Sequence, residues 1–309
     1  MALNIPGCGC KAQNTCLQCE PFSAAAYKPF VTPSDGPSYV FCPLCRLAWP
    51  GWAGDSWRAH PHHAGRSLRF PGVHIVPDLL TADEEQQLMA DIDALPWDAS
   101  QSGRRKQNFG PKTNFNRRKL KMGAFRGFPE FGRWVQARLA REPVLRGYQT
   151  IEQCSLEYRP QEGACIAPHI DDCWVWGERV VTVSLLKDSV LTMVKYQGGE
   201  DRYNLRDRPP PRAAGEAADP LDWWQLERPP TVRLPMPRRS LLVLEGAARY
   251  EWLHGILRDD VTERRVCLAL REFTPAFLPG GQHEALGAEV IAQAQNFWTV
   301  PPAAADAAA

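Results

Sequence analysis

The sequence predicts an α+β fold built on a mostly antiparallel sheet sandwich. Two observations carry this. Helical periodicity comes early, over 81–95 and near 130–140. Strand-like runs then follow one another at 150–158, 179–186, 190–196, 231–236, 240–245, 251–257 and 264–273. The chain has 309 residues and is 44% apolar, enough for one large core with a smaller appendage.

Residues 1–66 stand apart as a cysteine-rich N-terminal segment. Six of the ten cysteines lie before residue 46, "HPHH" follows at 60–63, and little there has a helical or strand period. The globular pattern runs over 67–283 and starts with "RFPGVHIVPDLL" at 69–80. In "TADEEQQLMADIDAL", Thr81 and Glu84 make a capping box, while Leu88, Ile92 and Leu95 make a buried stripe. Pro96 ends that helix. Residues 101–121 carry eight Lys or Arg and no acid. "RDRPPPRAAGEAADP", at 206–220, is too rich in Pro and Ala for a core strand and reads as a loop insertion. Residues 284–298 look helical, and an Ala-rich tail closes 284–309.

A net charge of +1 gives no global field for nucleic acid or membrane. No apolar run approaches the ~18 residues of a membrane span, so no membrane association is expected. The start is cysteine-rich rather than a charged and apolar leader. Ten cysteines without such a leader predict a reducing compartment, cytoplasmic and nuclear, where clustered cysteines more often bind metal than pair as disulfides.

The chemistry begins in "APHIDDCWVWGERVV", 167–181. His169 and Asp171 are two apart, so on a strand they share a face. Alone, such a pair is as readily a surface ion pair. His254, in "YEWLHGILRDD", supplies a third candidate ligand. Two histidines and one carboxylate form the facial triad of non-haem Fe(II) oxygenases, although zinc hydrolases use similar sets. Asp172 has the wrong parity for ligation and suits a partner of a substrate amine or of a ligand histidine.

"RVCLALREF", 265–273, is a strand with Val266, Leu268 and Leu270 on one face and Arg265, Cys267, Ala269 and Arg271 on the other. Two buried arginines need anions. Six residues of strand span roughly 20 Å, which leaves room between the two long side chains for a small dicarboxylate. The plainer alternative is two arginines snorkelling to water.

H-x-D, a distal His and R-x5-R on the following strand resemble the AlkB-type Fe(II)/2-oxoglutarate dioxygenases. "SLEYRPQEGACIAPHIDD", "SQSGRRKQNFGPKTNF", "WVWGERVVTVSLL", "RSLLVLEGAARYEWLHGI", "ERRVCLALREF" and "CGCKAQNTCLQCE" are similar to the animal homologue 4 group of that family. The resemblance covers about 8–20 and 69–298. It implies a double-stranded β-helix (jelly-roll) core with flanking helices, Fe(II) on His169, Asp171 and His254, and O2 as co-reactant. It implies Arg265 on the distal carboxylate of 2-oxoglutarate, Arg271 near its metal-binding end, and Tyr158 in contact with it. Leu156 departs from the family, which has asparagine there. The implied reaction is oxidative removal of an N-methyl group, with succinate and formaldehyde as products. The implied substrate is monomethyl-lysine in actin, tying the chain to actomyosin contractility and cytokinesis, with N6-methyladenine in DNA as the rival.

Cys8, Cys10, Cys16 and Cys19 can wrap one tetrahedral Zn²⁺, against a reading as free thiols. Cys42 and Cys45, with His60 and either His62 or His63, offer a second set, or a replacement ligand for the first. The basic stretch 101–121 suits DNA phosphates, an acidic protein surface, or a solvated loop. In AlkB relatives the matching region is a lid, so Phe109 and Phe115 are candidates to cover a substrate. Trp174 and Trp176 suit a methylammonium cage by cation–π attraction, though ordinary core packing is the commoner use of tryptophan. A reading of another class is a zinc-scaffold binding protein with an inactive oxygenase core.

Overall fold

The computed structural model describes residues 5, 8–10, 15–23, 27–209 and 221–299. In chain order the principal strands are β1 (Ser38–Cys42), β2 (Leu47–Pro50), β3 (Val73–Val76), β4 (Arg105–Phe109), β5 (Glu152–Tyr158) and β6 (Ile166–His169). Then come β7 (Trp176–Leu185), β8 (Ser189–Lys195), β9 (Thr231–Met236), β10 (Leu241–Leu244), β11 (Trp252–Ile256) and β12 (Arg265–Phe273). The longer helices are α1 (Ala82–Asp93), α2 (Phe131–Leu139) and α3 (Glu284–Ala294), and a one-turn helix spans Gly246–Tyr250.

From β5 onward the chain winds between two sheets. One contains β10-β7-β12-β5 in that order, the other β6-β11-β8-β9. Only β8 and β9 are successive strands of the same sheet, and every pairing among these eight strands is antiparallel. That winding is a double-stranded β-helix, a jelly roll with flanking helices. β3 and β4 widen the first sheet at its two edges.

Strand alternation divides the core in two. Tyr158, Val180, Leu242, Leu244 and Cys267 face inward and meet Leu191, Met193, Val232 and Leu234 of the opposing sheet. Val181, Val183, Leu241, Val266, Leu268 and Leu270 face outward under the helices. There they bury Leu88, Ile92 and Leu95 from the first helical segment and Phe131, Val135 and Leu139 from α2. The capping box forms: Glu84 N donates to Thr81 Oγ1 (3.1 Å) and Thr81 N to Glu84 Oε2 (2.7 Å).

Three expectations change. Residues 1–66 are not a separate unit, because β1 pairs in parallel with β9 and β2 continues the same sheet. Tyr39, Phe41 and Ala48 enter the jelly-roll core. β1 has only five residues, too few for a visible period beside its cysteines and proline. The last helix stops at Ala294, and Phe297–Trp298 pairs in parallel with Phe128–Pro129. The basic stretch is not one loop. It supplies β4 and a small hairpin of Lys112–Asn114 with Lys119–Lys121. Residues 210–220 of the Pro-rich insertion, and those beyond 299, lie outside the described residues. No helix among the described residues is long and apolar enough to cross a membrane.

Candidate metal centre

β6 and β11 are antiparallel neighbours, and His169 is the register partner of His254. Their rings lie 4.4 Å apart. Asp171 follows immediately after β6 and brings Oδ1 to 3.7 Å from His169 Nε2. One ligand atom from each of the three residues falls within 4.8 Å of the others. His169 Nδ1 lies 2.9 Å from the Ala167 carbonyl, which can only accept. That bond puts the proton on Nδ1 and leaves Nε2 with a free lone pair. His254 Nδ1 is buried with no hydrogen-bond partner among the described residues.

The electrostatics suit a divalent cation. Burial lowers the pKa of both imidazoles, for His254 well below its ordinary value, so both are neutral. Burial alone would raise the Asp171 carboxyl. The Arg271 guanidinium outweighs it and holds that carboxyl far below its usual range. Two neutral nitrogens and one carboxylate, brought within 4.8 Å of one another, fit Fe(II) with open faces.

The two arginines of β12 differ in their surroundings. β5 and β12 pair Tyr158 with Arg265 at one end and Glu152 with Arg271 at the other. Arg271 is therefore answered by protein carboxylates: Nη1 donates to Glu152 Oε2 at 2.6 Å, while Nε and Nη2 reach Asp171 at 3.0 and 3.1 Å. The expectation of two arginines both lacking acids is corrected for Arg271. Arg265 keeps the other situation. It is 1% exposed and its guanidinium lies 4.8 Å from the Tyr158 ring centre. Its Nε and Nη1 have no hydrogen-bond partner among the described residues. Burial pushes the Tyr158 phenol up to about 12, so it stays neutral and cannot balance the charge. A buried cation with unspent donors fits a carboxylate of 2-oxoglutarate. Leu156, two residues before Tyr158, packs against the inner core.

A cavity of about 700 Å³ opens beside the triad. Its wall holds Phe115, Trp176, Tyr203, Glu152, Asp172 and Asp201. Asp172 ties two walls together. Its Oδ1 accepts from Trp174 N at 2.9 Å and its Oδ2 from Asn204 Nδ2 at 2.8 Å. The two tryptophans separate. Trp174 packs edge-on against Phe277 at 5.6 Å and is core. Trp176 lines the cavity, 6.3 Å from Phe115 and 5.7 Å from the Arg271 guanidinium. Phe109 is corrected as a substrate residue: its ring stands against Phe131 and Trp298 under α2, and it is absent from the cavity wall. Phe115 takes that place because the hairpin turn carries it outward.

Chain comparison now decides the family. No family model matches the sequence. The human alpha-ketoglutarate-dependent dioxygenase alkB homolog 4 is 39% identical over 290 residues, covering 94% of each chain. The chain belongs to the AlkB family of 2-oxoglutarate-dependent dioxygenases. The mouse protein of the same name is 37% identical over 301 residues, again 94% of each. A Caenorhabditis elegans DNA N6-methyl adenine demethylase is 30% identical over 92% of this chain and 93% of that one. As a member of the AlkB family the chain is an oxidoreductase that uses Fe(II), 2-oxoglutarate and O2. Its relatives support oxidative demethylation as the reaction class.

Sequence reasoning missed Glu152, Arg249, Tyr203 and Asn204. Glu152 was findable, since it lies six residues before Tyr158 as Arg271 lies six after Arg265. Antiparallel pairing then makes them partners. Arg249 is fully buried and donates to the Trp176 carbonyl at 3.3 Å. Tyr203 and Asn204 both take left-handed backbone (φ 63° and 51°), which shapes the cavity wall and which no local pattern announces.

The cysteines of the N-terminal segment also converge. Cys8, Cys10, Cys16 and Cys19 place their sulfurs within 4.8 Å of one another, a set that can hold one tetrahedral zinc. Ser102 N donates to Cys10 Sγ at 3.2 Å and Leu17 N to the Glu162 carbonyl at 3.1 Å. The cluster is thereby joined to the loop bearing Arg104, whose guanidinium lies 5.9 Å from the Tyr158 ring centre.

Proposed function

We propose that this chain removes the methyl group from monomethyl-lysine in protein, actin being the substrate its resemblance implies, and so regulates actomyosin and cytokinesis. The observation that carries this reading is the cavity beside the triad. Aromatic faces from Phe115, Trp176 and Tyr203 stand with the carboxylates of Asp172 and Asp201. Rings accept an alkyl stem and attract a methylammonium, and carboxylates complement its charge.

In this reading His169, Asp171 and His254 hold Fe(II), and Arg265 with Tyr158 binds the far end of 2-oxoglutarate. Bound together, iron, cosubstrate and O2 supply an oxidant for a C–H bond. The chain's own residues bind and orient. Arg271 fixes the Asp171 carboxylate, Asp172 holds the 201–204 wall against the strand that carries the ligands, and Trp176 and Phe115 exclude water from the methyl group.

DNA N6-methyladenine is the second reading. The nematode relative's name favours it, as do Arg117, Lys119 and Lys121, which are exposed on the segment that carries Phe115. The test is formaldehyde release, with Fe(II) and 2-oxoglutarate, from a monomethyl-lysine peptide and from an N6-methyladenine oligonucleotide. Turnover of the peptide alone supports the proposal. Turnover of the oligonucleotide alone transfers it to DNA, and release that ignores 2-oxoglutarate sinks both.

A further inference from the structure

β1 and β2 are joined by a tight turn, Cys42-Pro-Leu-Cys45, in which Arg46 takes left-handed backbone (φ 59°) and its N–H returns to the Cys42 carbonyl at 2.8 Å. Both cysteines are free thiols. Trp49 Nε1 donates to Cys45 Sγ at 3.3 Å. N–H groups aimed at sulfur stabilise a thiolate, the form that ligates metal.

The chain then leaves the hairpin, forms a short helical turn at Ser56–Ala59, and returns with His60 and His63. His60 Nδ1 and His63 Nε2 are both buried and have no hydrogen-bond partner among the described residues. The two rings lie 5.6 Å apart, and His63 stacks on Trp49 with centres 4.9 Å apart. The choice left open between His62 and His63 is settled by exposure: His62 is exposed, and His63 faces the cysteines. One ligand atom from each of Cys42, Cys45, His60 and His63 lies within 4.8 Å of the others. Bond lengths of about 2.3 Å to sulfur and ~2.0–2.1 Å to nitrogen put tetrahedral ligand atoms roughly 3.3–3.8 Å apart, so a small closure completes the set.

We propose that Cys42, Cys45, His60 and His63 form a structural zinc site, additional to the Cys8–Cys19 cluster, that ties the 51–66 loop to the β1–β2 hairpin. Two thiolates and two imidazoles select zinc over the harder divalent ions. Four protein ligands leave no open position, so the site does no chemistry. Two thiolate charges cancel that of Zn²⁺, which suits a centre where Cys42 is wholly buried. The loop it secures is otherwise short of core, and a metal supplies the missing cohesion. Through β1 the site braces β9, which pairs with β8, which in turn pairs with the strand of His254.

The test uses the full chain and the metal alone. Zinc per chain is measured by native mass spectrometry and elemental analysis for the wild type, Cys45→Ser, His63→Gln and Cys16→Ser. Cys45→Ser and His63→Gln should each lose one zinc equivalent. Combining either with Cys16→Ser should lose two. Folded Cys45→Ser and His63→Gln proteins with the wild-type zinc count would overturn the site. If those variants do not fold, cobalt(II)-loaded wild type decides. The proposal requires tetrahedral bands of a mixed sulfur–nitrogen centre besides those of an all-sulfur one, and a spectrum with all-sulfur bands alone rejects it. The His169–Asp171–His254 centre offers no sulfur and cannot imitate that signal.

Discussion

Arg271 grips Asp171 with two hydrogen bonds, 3.0 Å from Nε to Oδ2 and 3.1 Å from Nη2 to Oδ1. The carboxylate proposed as an iron ligand is thus oriented before any metal arrives. Glu152 holds the third guanidinium nitrogen, so the arginine is itself fixed. Arg271→Lys keeps the charge and loses the fork. It should weaken Fe(II) binding or turnover by about 10–100-fold, the usual cost of losing a ligand's orienting partner. Fe(II) titration and succinate formation measure it, and wild-type values for both would remove Arg271 from this role.

Arg265 separates binding from stability. Among the described residues its buried guanidinium has two nitrogens, Nε and Nη1, without a hydrogen-bond partner. Arg265→Met deletes a buried charge and leaves no protein anion stranded. Thermal stability without cosubstrate should therefore hold or rise, while the KM for 2-oxoglutarate rises at least tenfold. Thermal melts beside cosubstrate titrations check this. A large loss of stability with an unchanged KM would make Arg265 a structural cation.

The antiparallel sheet sandwich and the His169–Asp171 pair were legible because both rest on short-range patterns, whereas the jelly-roll winding was implied by the family resemblance and His254 is brought in by strand register. Strand alternation from 150 to 273 is carried by aliphatic residues at period two, and His169 and Asp171 share a face by the same rule. What could not be read depended on register and on chain reversal. Glu152 becomes a site residue only once β5 is aligned on β12. Phe115 rather than Phe109 reaches the cavity because a hairpin turns between them. β1 joins the sheet through a parallel pairing with a strand almost two hundred residues away, and nothing local signals that.

Glu157 should set the acid limit of the fold. Its side chain is wholly buried and carries Arg105 and Arg264, the latter at 2.8 Å. Burial pushes its pKa up, but the two arginines prevail and hold it below the ordinary value. A depressed folded-state pKa adds stability that is complete above the unfolded value near 4.5 and is lost as pH falls through the folded one. Glu157→Gln should cost about 1–3 kcal/mol at neutral pH, because a buried acceptor of charged hydrogen bonds from Arg105 and Arg264 loses its charge, although both arginines are partly exposed and Arg264 keeps Asp93. It should also flatten the stability curve below pH ~4.5. Urea unfolding at pH 7 and at pH 3.5 decides, and an equal loss at both would contradict the charge argument.

Leu88 tests the outer core. It is fully buried on α1 among Ile92, Val135 and the outward side chains of the first sheet. Leu88→Ala should destabilise by roughly 2–5 kcal/mol. Since α1 lies on the face away from the cavity, KM values measured well below the melting temperature should not move. A changed 2-oxoglutarate KM in a still-folded variant would mean that the helix layer positions the site.

Asp172 offers the sharpest test of substrate charge. It lines the cavity, and its two oxygens hold Trp174 N and Asn204 Nδ2. Asp172→Asn preserves the acceptor for Trp174, and Asn204 can turn its amide to satisfy the new donor. The substitution therefore removes charge with little change of shape. If the substrate is a methylammonium, its KM should rise about tenfold, equivalent to about 1.4 kcal/mol. The slow decarboxylation of 2-oxoglutarate without substrate should stay as it was, since none of the proposed iron or cosubstrate ligands has changed. A methylated oligonucleotide predicts the opposite sign: removing a carboxylate from its path lowers repulsion, so its KM should fall or stay level. Parallel KM measurements on both substrates thus assign the cavity's preference from one variant. A peptide KM unmoved by the loss of charge would reject Asp172 as the partner of the methylammonium.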